Sequence, residues 1–159
     1  MNRVGAIDCG TNSIRLLIAD AVDGHLRDVH REMRIVRLGQ SVDATGRFVP
    51  EALERTRAAL ADYVALMKAH DVDRLRMVAT SATRDAVNRD VFFAMTAEVL
   101  GTLIPGSVAE VITGGAEAEL SFRGAANELD SAGAPFVVVD LGGGSTEIVL
   151  GEDAVQASF

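Results

Sequence analysis

The stretch from Pro135 to Gly151, PFVVVDLGGGSTEIVLG, constrains the fold of this chain more than any other. Val137, Val138 and Val139 form an apolar run that reads as a buried strand, and Asp140 closes it where the backbone must turn through Gly142, Gly143 and Gly144. Three consecutive residues without Cβ let main-chain N–H groups crowd onto an anion, and Ser145 and Thr146 add hydroxyl donors at the same corner. Alternation resumes from Thr146 to Leu150, so the unit is a hairpin with a glycine-rich tip. It is neither a P-loop nor a dinucleotide fingerprint, because no lysine-serine pair follows the glycines and a strand, not a helix, follows the turn.

The same device stands at the other end of the chain. Val4-Gly5-Ala6-Ile7-Asp8-Cys9-Gly10-Thr11-Asn12-Ser13 is again an apolar strand, a carboxylate, a glycine two residues on and a serine three beyond that. The pairs Asp8/Asp140, Gly10/Gly142 and Ser13/Ser145 share one offset, since 140 − 8, 142 − 10 and 145 − 13 all equal 132. So long a period excludes a solenoid and points to duplicated lobes. Ile14 to Ala19, interrupted by Arg15, is the matching return strand.

With 159 residues and 48% hydrophobic content, the chain has the material for a sizeable core. No apolar run approaches the roughly 20 residues that span a bilayer. The start, MNRVGAIDCG, lacks the apolar segment and cleavage site of a secretion signal, so a cytoplasmic location with no membrane partner is expected. A net charge of −8 argues against a general nucleic-acid binder. It also means that a phosphate ligand must be held by local donors, arginines and divalent cations. The single cysteine, Cys9, is expected to be a small core residue.

In chain order, Asp23-Gly24 marks a turn, and a third strand lies within His25 to Leu38, with Val29, Met33, Ile35 and Val36 in loose alternation. Residues 39–49 are expected to be loop. Pro50 opens a helix to about His70 with Leu53, Leu60, Val64 and Met67 on one face and Glu51-Arg55 and Glu54-Arg57 pairs on the other. A strand from Leu75 to Ala79 delivers Thr80 to Arg84, and Asp90 is the expected cap of the next helix, which Gly101 ends. Val108 to Thr113 is a strand, Gly114-Gly115 a turn, and Ala116 to Leu129 a helix. The order is βββαβαβα followed by a hairpin, an α/β pattern in which ligand groups gather beyond the C-terminal ends of strands. Asp8, Thr80 to Arg84, Gly114 to Glu117 and Asp140 to Ser145 all fall there.

Four segments, AIDCGTNSIRLLIAD, VATSATRDAVN, VITGGAEAELSFRGA and VVVDLGGGSTEIVLGE, resemble in order and spacing the N-terminal motifs of the exopolyphosphatase/guanosine pentaphosphate phosphohydrolase (Ppx/GppA) family. The resemblance implies a ribonuclease-H-like lobe of the actin, heat-shock chaperone and sugar kinase superfamily with a mixed sheet, residues 1–128, followed by the first strands of an incomplete second lobe, residues 134–159. A hairpin standing alone is marginal in water, so residues 134–159 are expected to dock on the first lobe or to pair with another copy of the chain. The resemblance also implies that Gly10, Thr11, Asn12 and Ser13 form a first phosphate loop, and Gly142, Gly143, Gly144 and Ser145 a second. Glu117 takes the place of the family's catalytic base. Thr113, Ala116 and Glu119 depart from the usual serine, glutamate and arginine of that motif, which leaves substrate preference open.

Hydrolysis of a terminal phosphoanhydride requires a positioned water, a carboxylate to take its proton and dense positive or dipolar groups at the phosphoryl. Asp8 and Asp140, with Glu147 from the return strand, suit Mg²⁺ or Mn²⁺. Arg84, at a strand end, is the expected phosphate clamp. The expected substrates are polyphosphate or a guanosine polyphosphate, and the full-length protein is expected to be a homodimer. A chain ending at residue 159 should hydrolyse weakly or not at all. A non-catalytic phosphate- or alarmone-binding module and a kinase of the same superfamily stay open as alternatives.

Overall fold

The computed structural model describes residues 2–127, 129–152 and 154–159. Strands β1 (Asn2–Cys9), β2 (Ser13–Val22) and β3 (His25–Ile35) run antiparallel in sequence, with the turn at Asp23 and Gly24 in left-handed backbone. The chain then passes through a short helix α1 (Val42–Thr45) and a long one, α2 (Pro50–Ala69). Strand β4 (Arg74–Ala79) returns parallel to β1, followed by helices α3 (Ser81–Asp85) and α4 (Arg89–Leu100), strand β5 (Glu110–Val111) parallel to β4, and helix α5 (Gly114–Ala126). The five strands form one mixed sheet in the order β3-β2-β1-β4-β5. The βββαβαβα order expected from the sequence is realised with two added short helices, α1 before α2 and α3 before α4. No helix of the described residues is long and apolar enough to cross a membrane.

One face of this sheet carries the main core. Ile7, Cys9, Ile14, Leu16, Ile18, Met77 and Ala79 project from it and are buried beneath Leu60, Tyr63, Val64 and Met67 of α2, with Phe92, Val99 and Leu100 of α4 in the same cluster. The period-3.6 stripe on α2 meets the period-2 face of the strands, which is why both signals were visible in the sequence. The buried Tyr63 hydroxyl donates to the Ile14 carbonyl at 3.0 Å, so its polar end is satisfied. Cys9 lies wholly within this core, and burial pushes its thiol up, away from the reactive thiolate.

A second sheet, antiparallel and ordered β6-β7-β8, is formed by β6 (Phe136–Leu141), β7 (Thr146–Gly151) and β8 (Val155–Ser158). Its opening hairpin has the register of the first. Cys9 faces Ile14 as Leu141 faces Thr146, Ile7 faces Leu16 as Val139 faces Ile148, and Asp8 faces Arg15 as Asp140 faces Glu147. The offset of 132 therefore holds in pairing as well as in sequence. Ala118 and Phe122 of α5 pack on Val149 with Phe136, Val138 and Val155 around them. The hairpin thus docks on a helix that precedes residue 128, and α5 belongs structurally with the second sheet's small core.

Several local expectations are corrected. Residues 39–49 contain α1. Asp90 does not cap α4; Asn88 stands at the cap position, and its side chain is taken by the Phe48 N–H and carbonyl at 2.8 and 3.1 Å. Gly114 and Gly115 are the first residues of α5, whose cap is Thr113, its hydroxyl accepting from the Ala116 N–H at 3.2 Å. The strand expected from Val108 to Thr113 contracts to Glu110–Val111. Met33 and Ile35 are exposed, because β3 is an edge strand and the helices cover the other face. Arg55 and Arg57 do not pair within α2: Arg55 donates to the Val36 carbonyl and Gln40, and Arg57 pairs with Glu98 of α4.

Candidate functional site

The two hairpins end in tips built alike. Gly10 N–H donates to the Ser13 carbonyl at 2.9 Å, and Gly142 N–H donates to the Ser145 carbonyl at 2.9 Å, leaving two-residue tips at Thr11-Asn12 and Gly143-Gly144. In the first tip the Thr11 carbonyl accepts from Gly39 and the Asn12 carbonyl from Val36 and Arg37. A trans peptide sets N–H opposite C=O, so the next N–H groups point away from residues 36–39. Among the described residues, the N–H groups of Thr11, Asn12, Gly143 and Gly144 donate to no protein acceptor. These donors, with the serine hydroxyls, are the equipment of an anion site.

The tips touch. A Cβ on Gly143 would lie 2.8 Å from Asn12 Cβ, and one on Gly144 would lie 2.6 Å from Thr11 Oγ1 and 3.0 Å from Ser81 Oγ. Only glycine allows that approach. Thr11 Oγ1 and Ser81 Oγ share a hydrogen bond at 2.9 Å, which fixes the first tip to the start of α3. Beside this junction lies a cavity of about 280 Å³, lined by both tips together with Asp8, Arg15, Thr80, Ser81, Glu117 and Asp140. A larger hollow of about 520 Å³ opens from it along the outer face of the first sheet over Ala6, Leu17 and Val78, with Leu120 of α5 at its side; it is mainly apolar.

Glu117 sits in the first turn of α5, its side chain 15% exposed, and its Oε2 accepts from Arg84 Nη1 at 2.8 Å. Burial pushes the Glu117 carboxyl up from its ordinary value, the bond from Arg84 pulls it back, and the charges of Glu147 and Asp8 add to the rise. Asp8, half-buried, is likewise raised by desolvation, with Arg15 at 3.7 Å opposing and Asp140 reinforcing. Asp140 Oδ2 accepts from Ser121 Oγ at 2.5 Å. Ser121 lies one helical turn beyond Glu117, so one face of α5 serves both carboxylates. Glu119 leaves that face and pairs with Arg123 in solvent.

Most of the expected site residues therefore come to one place; Arg84, Gly144 and Glu147 do not line the cavity itself. Gly10 to Ser13, Gly142, Gly143, Ser145, Asp8, Asp140 and Glu117 line the cavity, Gly144 packs against Thr11 and Ser81, and Glu147 stands directly opposite Asp140 on the hairpin. Arg84 does not line it; its guanidinium is turned to Glu117 and to the Ile112 carbonyl at 2.9 Å. Thr80, Ser81 and Ser121 were not singled out as site residues. The strand-end position of the first two was the available signal, and the four-residue spacing from Glu117 was the signal for Ser121.

Among the described residues, no three His, Cys, Asp or Glu side chains converge into a ready-made metal centre. Mg²⁺ does not require one, since it binds through one or two carboxylates with waters and substrate oxygens. Asp8 and Asp140, one on each hairpin, are the carboxylates that would serve such an ion. The opposed Asp140 and Glu147 are a like-charged cross-strand pair, unfavourable unless a cation lies near. The donor set fits a hard divalent ion.

The sequence matches the model of the Ppx/GppA phosphatase family over residues 17–158. It is 73% identical to exopolyphosphatase 2 of Mycobacterium tuberculosis, covering all of this chain and 51% of that protein. Among solved structures, an exopolyphosphatase-like protein superposes with a TM-score of 0.86 at 47% identity, over 99% of this chain and 49% of the other. The Ppx/GppA member from Aquifex aeolicus gives 0.78 at 37% identity, over 99% and 50%. The exopolyphosphatase of Cytophaga hutchinsonii gives 0.86 at 30% identity, over 99% and 49%. The chain spans about half the length of the curated relatives it matches. With its mixed five-stranded sheet and its paired glycine tips, the chain belongs to the Ppx/GppA phosphatase family.

Proposed function

We propose that this chain carries the catalytic carboxylate and both phosphate-binding tips of an exopolyphosphatase, which hydrolyses the terminal phosphoanhydride of inorganic polyphosphate. The observation that carries this reading is the position of Glu117: a largely buried carboxylate on the wall of a cavity that both hairpin ends also line. Its Oε2 is held by Arg84, and among the described residues its Oε1 meets no protein donor. In the reaction, Glu117 orients a water and takes its proton as the water oxygen bonds to the terminal phosphorus. The bridging P–O bond breaks, and the shortened chain leaves with the electron pair.

The N–H groups of both tips and the hydroxyls of Ser13 and Ser145 hold the phosphoryl oxygens where charge develops. Asp8, Asp140 and Glu147 would hold Mg²⁺ or Mn²⁺, which supplies positive charge to neutralise the phosphate oxygens in a strongly acidic protein. Names of relatives support polyphosphate as the substrate class. Guanosine pentaphosphate presents the same terminal anhydride and belongs in the same assay.

The test is phosphate release from tripolyphosphate and from guanosine pentaphosphate with Mg²⁺, by this chain and by the full-length protein. Glu117→Gln should lower kcat in the full-length protein by about 100-fold or more, the range for loss of a general base. Undiminished release with Gln at position 117 would remove the base and leave a phosphate-binding module.

A further inference from the structure

We infer that Arg84 is a positioning residue that acts through Glu117, and not a clamp on the substrate: its guanidinium fixes one carboxylate oxygen so that the other faces the phosphate-binding tips. The inference rests on the reading of Glu117 as the base. Arg84 lies in α3, just after β4, and Glu117 in the first turn of α5; they are 33 residues apart and meet only in the folded chain.

Arg84 Nη1 has two hydrogens and both are engaged. One goes to the Ile112 carbonyl at 2.9 Å and the other to Glu117 Oε2 at 2.8 Å. The carbonyl belongs to the chain that leaves β5, so the guanidinium plane is anchored to rigid backbone before it reaches the carboxylate. A planar group held at one nitrogen by a main-chain acceptor directs its second bond, which a rotating ammonium does not do. Both side chains are largely buried, at 26% exposure for Arg84 and 15% for Glu117, so water competes weakly for the pair.

A phosphate clamp would instead turn its fork into the cavity. The cavity wall includes Glu117 and not Arg84, whose side-chain hydrogen bonds go to Glu117 and the Ile112 carbonyl. Glu has three side-chain torsions; pinning Oε2 removes most of that freedom and aims Oε1. Proton transfer from a bound water is sensitive to that aim, since misplacement of a reacting group by about 1 Å costs on the order of 100-fold.

The experiment is a double-mutant cycle in the full-length protein with Mg²⁺ and tripolyphosphate, comparing Arg84→Met, Glu117→Gln and the double variant. A positioning role predicts that Arg84→Met lowers kcat about tenfold or more while KM stays within about twofold, and that Arg84→Lys recovers part of the loss. It also predicts that the double variant is no slower than Glu117→Gln alone, because a residue acting through Glu117 has nothing left to position. If Arg84→Met does not fold, Arg84→Lys takes its place in the cycle with a smaller expected loss of the same kind.

A raised KM with kcat retained, or a double variant clearly slower than Glu117→Gln, would overturn the inference and return Arg84 to the phosphate. Those results, with Glu117→Gln inactive, leave the base reading intact. Full activity of Glu117→Gln, or a full-length protein that releases no phosphate, removes the base reading and this inference together.

Discussion

At the residue scale, Glu117 combines two opposing demands. A base must be ionised, yet burial raises its carboxyl above the ordinary 4.5, with Glu147 and Asp8 adding to the rise and Arg84 resisting it. For stability the sign is that of any carboxyl raised in the folded state. The protonated form favours folding, the contribution is full below the unfolded value, and it is lost as pH rises through the folded one. Activity has the opposite sign, because protonation removes the base. The acid limb of kcat/KM, which reports the free enzyme, is therefore expected above 4.5. A pH–rate profile at saturating Mg²⁺ checks this, and a limb at or below the ordinary glutamate value contradicts it. The residue was legible in the sequence through its motif, but its partner was not. Arg84 has no local signal that separates a clamp from a carboxylate holder, because the distinction lies in contacts 28 and 33 residues away.

At the scale of the element, α5 does two jobs on adjacent faces. Ala118 and Phe122, four apart, bury themselves on the second sheet, while Glu117 and Ser121, also four apart, face the carboxylate cluster. Helical periodicity thereby ties the register of the site to the register of the core. The Phe122 ring lies against the backbone at Gly151, 2% exposed. Phe122→Ala is expected to destabilise by about 3 kcal/mol, the low end for a buried aromatic because this core is small. The loss should be local: hydrogen exchange should quicken in β6, β7 and β8 while amides of β1, β2 and β4 keep their protection. Uniform loss of protection in both sheets would show one cooperative unit instead. Sequence reasoning found the helix but started it two residues late and ran it past Ala126, and its packing partner lies later in the chain.

At the scale of the whole molecule, the duplication explains both the site and the exposed surface. Gly5, Ile7, Cys9, Leu16 and Ile18 form the core face of the first hairpin; at the offset of 132 stand Val137, Val139, Leu141, Ile148 and Leu150. Val137, Val139, Leu141 and Ile148 are exposed, so among the described residues no helix covers the second sheet where α2 covers the first. The other faces of the two hairpins turn Asp8 and Asp140 toward one cavity. With four acidic side chains at or beside that cavity and a net charge of −8, a polyanion needs added cations there. Removing divalent ions from the full-length protein with a chelator should abolish phosphate release from tripolyphosphate, and Mg²⁺ or Mn²⁺ should restore it. Release that survives exhaustive chelation would show that backbone donors and arginines suffice.

The sequence alone determined the two hairpins, their glycine tips, their common offset and the family. Each of these is written in local pattern: apolar alternation sets a strand, missing Cβ atoms set a tip, and a repeated spacing sets a duplication. The tertiary structure decided that α5 sits on the second sheet, that Thr11 and Ser81 lock the first tip against Gly144, and that Arg84 faces Glu117. Those are contacts between segments far apart in the chain, chosen by which buried surfaces and polar groups satisfy one another once the strands have paired.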